Sequence, residues 1–452
     1  MKLKRLSLIL ACLVCVIVIL ATWLMRTPAS TFDNDRLGQS AVSTEMIRKG
    51  EYVARLSDCV ACHSTPDSAP FSGGLAMATP VGKIYTTNIT PDKSIGIGNY
   101  TLADFDRAVR HGVARDGHRL YPAMPFPSYQ KLSDDDVAAL YAFMMQDVKP
   151  VSRQNTASEI PWPLNMRWPL ALWSAAFSHG GPYKDKQDQD ASWNRGAYLV
   201  EGPGHCGSCH TPRGLAFNEK ALDASSPDYL AGALLDGWYA PSLRNDANTG
   251  ISRWSEEDVV TFLKQGRNQH AVVFGSMADA FNNSTQFMSN EDLRAIAHYL
   301  KALPPGSKNT GSSWQYEETT ASSGVPVKSD KDSHPGNQIY MARCSSCHGA
   351  DGRGQAPWIP PLAGATSMQV DSSSSINVVL NGSARIVAEG VPDAYRMPPY
   401  RKQLSDEQTA DVLNYIRTSW GNKGELIDSK AVGEMREKTD PASSNVTILQ
   451  MR

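Results

Sequence analysis

A chain of 452 residues is too long for one core and long enough for two to four domains. Its composition, 41% hydrophobic and 20% charged, is that of an ordinary folded protein and excludes extended disorder. The formal net charge of -2 gives no global field for nucleic acid or an anionic membrane.

Lys2, Lys4 and Arg5 precede an uncharged run of 20 residues, Leu6 to Met25, which Arg26 closes. About 20 residues cross a bilayer as a helix, and a cleaved signal peptide has a core of ~7–15. Small residues at Thr27-Pro28-Ala29-Ser30 suit cleavage, so residues 1–30 read as a membrane anchor or a signal peptide. Either one sends the rest of the chain across the membrane, because the basic residues stay on the cytoplasmic side. The rest of the chain is therefore expected on the far side of the membrane from the basic residues.

The remaining chain reads as one pattern used three times. A short helical stretch with Gly50 and Tyr52 leads into Cys59-Val60-Ala61-Cys62-His63. A middle helix from Leu102 to His111 stops at Gly112, the residue type favoured at a left-handed cap. Ser133 with Asp136 then forms a capping box, and Val137, Leu140, Tyr141 and Met144 follow at helical spacing. After a linker rich in Trp and Pro (151–189), Gly196 and Tyr198 lead into Cys206-Gly207-Ser208-Cys209-His210. A helix from Ser255 stops at Gly266, and Ser289 with Asp292 opens the closing helix carrying Leu293, Ile296, Ala297 and Leu300.

A polar connector (306–328) follows, its composition that of a flexible linker. Gly336 and Tyr340 then precede Cys344-Ser345-Ser346-Cys347-His348. Here the middle helix lies around Ile376 to Asn381, and Ser405 with Gln408 opens the last helix. The fold class is mainly α: three tandem cytochrome c-like helical domains, 45–150, 190–305 and 329–422, after an N-terminal apolar helix. In each, the small Gly is expected to let a ring approach (Tyr141, Tyr299 or Tyr415) where the first and last helices cross. The tail, 423–452, has no counterpart in the repeat.

Two thiols three positions apart, with an imidazole beside the second, suit covalent attachment of haem. Each thiol forms a thioether to a vinyl group, and the adjacent His is held where it can bind the iron. Zinc needs paired knuckles close together, whereas these motifs begin 147 and 138 residues apart. Three covalently bound haem c groups are expected, on Cys59, Cys62, Cys206, Cys209, Cys344 and Cys347, with His63, His210 and His348 as proximal ligands.

Met124, Met277 and Met397 follow those histidines by 61, 67 and 49 residues, each before its closing helix. A chain folding back over the haem would bring their sulfur to the far face. Met124 and Met397 stand in Met-Pro pairs; Met277 does not, and Met288 lies nearby. His111, His118, His205 and His270 are alternative ligands better explained as surface or capped side chains. Pro241-Ser242-Leu243 and Pro361-Leu362-Ala363 are candidates for a carbonyl that orients the proximal imidazole. His/Met ligation belongs to electron-transfer haems and raises their potential. The sequence has no dinucleotide loop and no nucleophile elbow, so no catalytic residue is assigned.

Thr86-Thr87-Asn88-Ile89-Thr90-Pro91-Asp92, Gly96-Ile97-Gly98 and Arg119-Leu120-Tyr121-Pro122-Ala123-Met124-Pro125-Phe126 carry a specific resemblance. Cys209-His210-Thr211-Pro212-Arg213-Gly214 and Gly237-Trp238-Tyr239-Ala240-Pro241-Ser242-Leu243 extend it. Over roughly residues 45–420 the chain resembles the tri-haem cytochrome c subunit of membrane-bound periplasmic dehydrogenases, typified by gluconate 2-dehydrogenase and quinoprotein alcohol dehydrogenase. The resemblance implies a non-catalytic subunit that takes electrons from a dehydrogenase subunit and passes them to ubiquinone. A FAD-containing gluconate or sugar-acid dehydrogenase, with a small subunit, is the preferred partner. One carrying pyrroloquinoline quinone is the alternative, and a freestanding periplasmic carrier is a third possibility. The Trp/Pro stretch at 161–173 is a candidate surface for the dehydrogenase or the membrane, or an inter-domain contact.

Overall fold

The computed structural model describes residues 15, 26–32, 42–79, 81–235, 237–306, 312–318 and 335–440. Apart from Cys15, the apolar run Leu6–Met25 lies outside them, as do most of the polar connector and the last twelve residues. Among the described residues no helix is long and apolar enough to cross a membrane.

The frame is three crossed helix pairs. Thr44–Leu56 packs on Asp134–Gln146, Ala191–Glu201 on Asn290–Ala302, and Pro335–Arg343 on Asp406–Thr418. Each crossing is set by one glycine. A Cβ on Gly50, Gly196 or Gly336 would stand 2.0 Å from the carbonyl oxygen of Ala139, Ala295 or Asp411. No side chain fits there, so these positions demand Gly for close approach of two backbones.

The ring at each crossing belongs to Phe143, Tyr299 and Tyr415, ten residues after the capping serine in every unit. The expected Tyr141 is therefore two residues off register. It turns instead to Phe105 and donates its hydroxyl to the Tyr100 carbonyl.

Middle helices Leu102–His111 and Glu256–Gln265 have reciprocal capping boxes and end at left-handed Gly112 and Gly266. The third, Ser373–Asn381, ends at Gly382 and has no side-chain cap at its start. Three short antiparallel hairpins, which the periodicity did not announce, join these parts: Ala76–Thr79 with Gly82–Tyr85, Ala233–Leu235 with Trp238–Ala240, and Val387–Ala388 with Val391–Pro392.

The first two units share one hydrophobic core, from Phe32 and Val53 through Tyr198 to Leu303. Their junction changes the capping expected from the sequence. Ser405 and Gln408 form a full reciprocal box, but Asp136 and Asp292 do not return to their own N-caps. Asp136 binds Lys49 of its own unit (2.8 Å) and accepts the hydroxyl of Tyr198 from the second unit. Asp292 binds Arg195 of its own unit (2.7 Å) and accepts the hydroxyl of Tyr52 from the first (2.7 Å). The two tyrosine oxygens in turn accept the N-cap amides of Ser133 (3.4 Å) and Ser289 (3.0 Å). Each unit thus completes the other's helix cap.

Tyr52→Phe and Tyr198→Phe are each expected to destabilise the protein by about 1–2 kcal/mol, because a helix amide and a carboxylate lose one partner. Denaturant unfolding of the two single variants measures this. Unchanged midpoints would show that the reciprocal caps hold nothing together.

The third unit has its own core around Tyr340, Leu380, Val412 and Trp420. It meets the second unit at a small cluster, Val273, Ala278 and Phe281 against Ala384 and Ile386, and at the buried ion pair Arg267–Asp393. Trp314 docks on this unit, its indole donating to the Trp420 carbonyl (3.0 Å). The tail is described as far as Asp440. Helix Ser429–Lys438 inserts Val432 and Met435 into the third core, and Arg436 binds Asp406 (2.7 Å).

Candidate haem sites

Each Cys-x-x-Cys-His run forms a single helical turn, Cys59–Cys62, Gly207–His210 or Ser345–His348, just after an opening helix. The turn brings its two cysteines and the histidine to one short surface. None of the six motif cysteines takes part in a disulfide. Burial pushes Cys59 and Cys206 up to about 12 and Cys344 to about 11, with the second cysteine of each motif adding repulsion. Among the described residues no group of three or more His, Cys, Asp and Glu is placed to hold a free metal ion.

The three histidines share one arrangement. His63 Nδ1 lies 2.7 Å from the Thr87 carbonyl, His210 Nδ1 2.7 Å from that of Pro241, and His348 Nδ1 3.0 Å from that of Pro360. A carbonyl only accepts, so Nδ1 carries the proton and Nε2 keeps the lone pair that binds a metal. Burial lowers the pKa of all three rings, against a smaller opposing effect of the carbonyl. Each is therefore a neutral imidazole with its ligating nitrogen fixed. The sequence placed this carbonyl correctly at Pro241 and one residue late in the third unit. In the first unit Thr87 escaped notice because a backbone carbonyl has no side-chain signature.

Met124 sits in the turn closed by its amide to the Tyr121 carbonyl (3.2 Å), half-buried against the shared core. Met397 is held by Ser383, which accepts its amide through Oγ (3.0 Å), and it borders the third core. Met277 opens helix Ser276–Asn283 and packs on the small cluster between the second and third units. Its neighbour Met288 is buried within the shared core, a packing position. The alternative histidines have other employment. His118 pairs with Asp116, His270 stacks on Trp254 (5.4 Å), and His205 Nδ1 meets the Pro203 carbonyl (2.9 Å). His111 lies in the last turn of helix Leu102–His111, where burial lowers its pKa.

The first and second motifs are brought together across the junction. Tyr129, fully buried, donates to the carbonyl of Ser57, two residues before Cys59 (2.7 Å). Its ring meets His205, the residue before Cys206, at 5.6 Å between centroids. The third motif stands apart in its own core.

These residues fit covalent haem. In every unit two cysteines of one helical turn stand beside an oriented neutral imidazole. In the second, the buried indole N–H of Trp238 has no partner among the described residues. It lies between the Pro241 segment that holds His210 and Gly275, two residues before Met277, whose missing Cβ would fall 2.7 Å from the indole. A buried donor there suits a haem propionate.

The cytochrome c family model matches residues 194–304 and 333–420. The cytochrome c subunit of alcohol dehydrogenase (quinone) from Gluconacetobacter polyoxogenes is 47% identical over 405 residues, 88% of this chain and 86% of that protein. The gluconate 2-dehydrogenase cytochrome c subunit of Pantoea cypripedii is 45% identical over 412 residues, covering 89% and 92%. The fructose dehydrogenase cytochrome subunit of Gluconobacter japonicus is 37% identical over 407 residues, covering 86% and 82%.

Proposed function

The chain belongs to the family of cytochrome c subunits of dehydrogenase complexes, and from that premise we propose that it carries electrons over three haem c groups, from a dehydrogenase subunit to ubiquinone. The observation that carries the number three is the repeated imidazole–carbonyl pair, present in the first unit as in the two that the family model matches. Three tandem cytochrome c domains, each with a Cys-x-x-Cys-His turn between crossed helices, is the corresponding architecture.

Cys59, Cys62, Cys206, Cys209, Cys344 and Cys347 would hold the haems. His63, His210 and His348 would bind iron on one face, and Met124, Met277 and Met397 on the other. Haem c, when bound, supplies a one-electron iron couple. The carbonyls of Thr87, Pro241 and Pro360 keep each imidazole in one tautomer, and the half-buried methionines would help to exclude water from the iron. With a histidine and a methionine as its ligands, each iron would have no position left for a substrate, and the chain would carry electrons without bond chemistry.

The preferred partner is a FAD-containing gluconate or sugar-acid dehydrogenase with a small subunit, working on the periplasmic face of the cytoplasmic membrane. Its support is the reach of the gluconate subunit match, which spans the larger share of both chains. The slightly higher identity to the alcohol dehydrogenase subunit favours the quinoprotein partner as the second reading. Co-purification from membranes, followed by reduction with gluconate or ethanol, separates them.

The ligand assignment has its own test. Met124→Ala, Met277→Ala and Met397→Ala are each expected to remove one sulfur-to-iron charge-transfer band. Each should also lower one midpoint potential by a substantial part of the ~0.8 V that axial ligation commands. A variant with unchanged spectrum and potentials removes that methionine from the ligand set.

A further inference from the structure

The stretch after Glu159 gathers several exposed large apolar side chains. Trp162 is 78% exposed, and Leu164, Trp168 and Leu172 are each about half exposed. Helix Pro169–Phe177 is anchored from beneath, by buried Ala171 and by the Trp173 indole, which donates to the Ala216 carbonyl (2.9 Å). That bond places the stretch beside exposed Leu215 and Phe217 of the second unit. No Asp or Glu occurs from residue 160 to 184 or from 202 to 218. A contiguous apolar face of this kind marks a contact with a membrane or a partner.

Its place relative to the N-terminus decides between them. Arg119 donates to the carbonyl of Arg26, the residue that closes the apolar run (3.1 Å). Arg167, next to Trp168, donates to the carbonyl of Arg119 (3.0 Å) and lies 3.6 Å over the Tyr121 ring. Pro28, Ser30 and Phe32 are fixed to the first unit, through Arg107, Asp106 and the shared core. Arg26, which follows the apolar run in sequence, is thus linked through two arginines, Arg119 and Arg167, to the exposed tryptophan Trp168.

We propose that this face lies in the interfacial layer of a phospholipid bilayer, with Trp162 and Trp168 at headgroup depth and Leu164 and Leu172 below them. Tryptophan favours that layer, arginine beside it keeps its charge in the polar zone, and the lack of carboxylates avoids repulsion by anionic headgroups. The patch is then a monotopic contact, lying beside Arg26, where the apolar run of the sequence ends.

Photocrosslinking tests it. The full holoprotein is placed in nanodiscs of phosphatidylethanolamine and phosphatidylglycerol containing a lipid with a diazirine near the headgroup end of its acyl chain, and adducts are mapped by mass spectrometry. Lipid adducts on residues 160–177 and 213–218 are expected. The variant Trp162→Ser, Leu164→Ser, Trp168→Ser, Leu172→Ser should lose them in both segments while keeping its haem content and its reduction by dithionite. Adducts confined to residues before Arg26 would overturn the proposal and leave the electron-transfer reading untouched. A patch variant that retains its adducts at 213–218 would overturn the joint face.

Discussion

Replacing Cys344 and Cys347 with alanine is expected to remove one haem and to stop electron delivery to ubiquinone, while the rest of the chain stays folded. Both thioethers of that unit are lost, and a lone His348 on a one-turn helix cannot retain the group at working concentrations. The third unit is the informative place for the change because its core is separate from the one shared by the first two. The same replacement at Cys59 and Cys62 would disturb a core that also supports the second unit, since Tyr129 ties Ser57 to His205. Alkaline pyridine spectra should show two haems per chain in place of three. Ubiquinone reduction by the reconstituted complex should fall to the level found without this subunit. Full turnover with two haems would show that the third site lies off the electron path.

The second large effect concerns the crossings. Gly336→Ala would put a methyl 2.0 Å from the Asp411 carbonyl oxygen and 2.5 Å from its carbon. Backbone cannot rotate out of the way as a side chain can, so the helices must part. Overpacking of this kind costs about 1–3 kcal/mol, and contact with backbone belongs at the upper end. Gly50→Ala and Gly196→Ala face the same distance at Ala139 and Ala295. The Gly336 variant should lose only the third unit's thermal transition, whereas either of the others should weaken the transition of the shared core. Gly181→Ala, with nothing within 4 Å, is the control and should leave melting unchanged. Equal melting of all four proteins would contradict the crossed-helix frame.

Much of this was legible before any coordinates, for a physical reason. Cys-x-x-Cys-His turns, capping serines and helix-ending glycines are local signals, written in neighbouring residues. Ser133, Ser289 and Ser405 cap their helices, and Gly112 and Gly266 take positive φ. Signals that need a partner far along the chain were not readable. Asp136 and Asp292 look like closers of their own boxes, yet the second unit's Tyr198 and the first unit's Tyr52 take that role. Tyr141 and Phe143 both suit a helix face, and only the crossing decides which ring meets Gly50. The Thr87 and Pro360 carbonyls carry no residue preference at all. The exposed tryptophans were visible as composition, but their nearness to Arg26 depends on Arg119 and Arg167, residues far from it in the chain.

The central claim is three covalent haems on one chain, and the intact mass of the denatured protein tests it most directly. The account predicts a polypeptide heavier by three haems, with none of the six motif cysteines open to alkylation. A mass excess of two haems or fewer, or an alkylated pair at Cys59 and Cys62, Cys206 and Cys209, or Cys344 and Cys347, would contradict it.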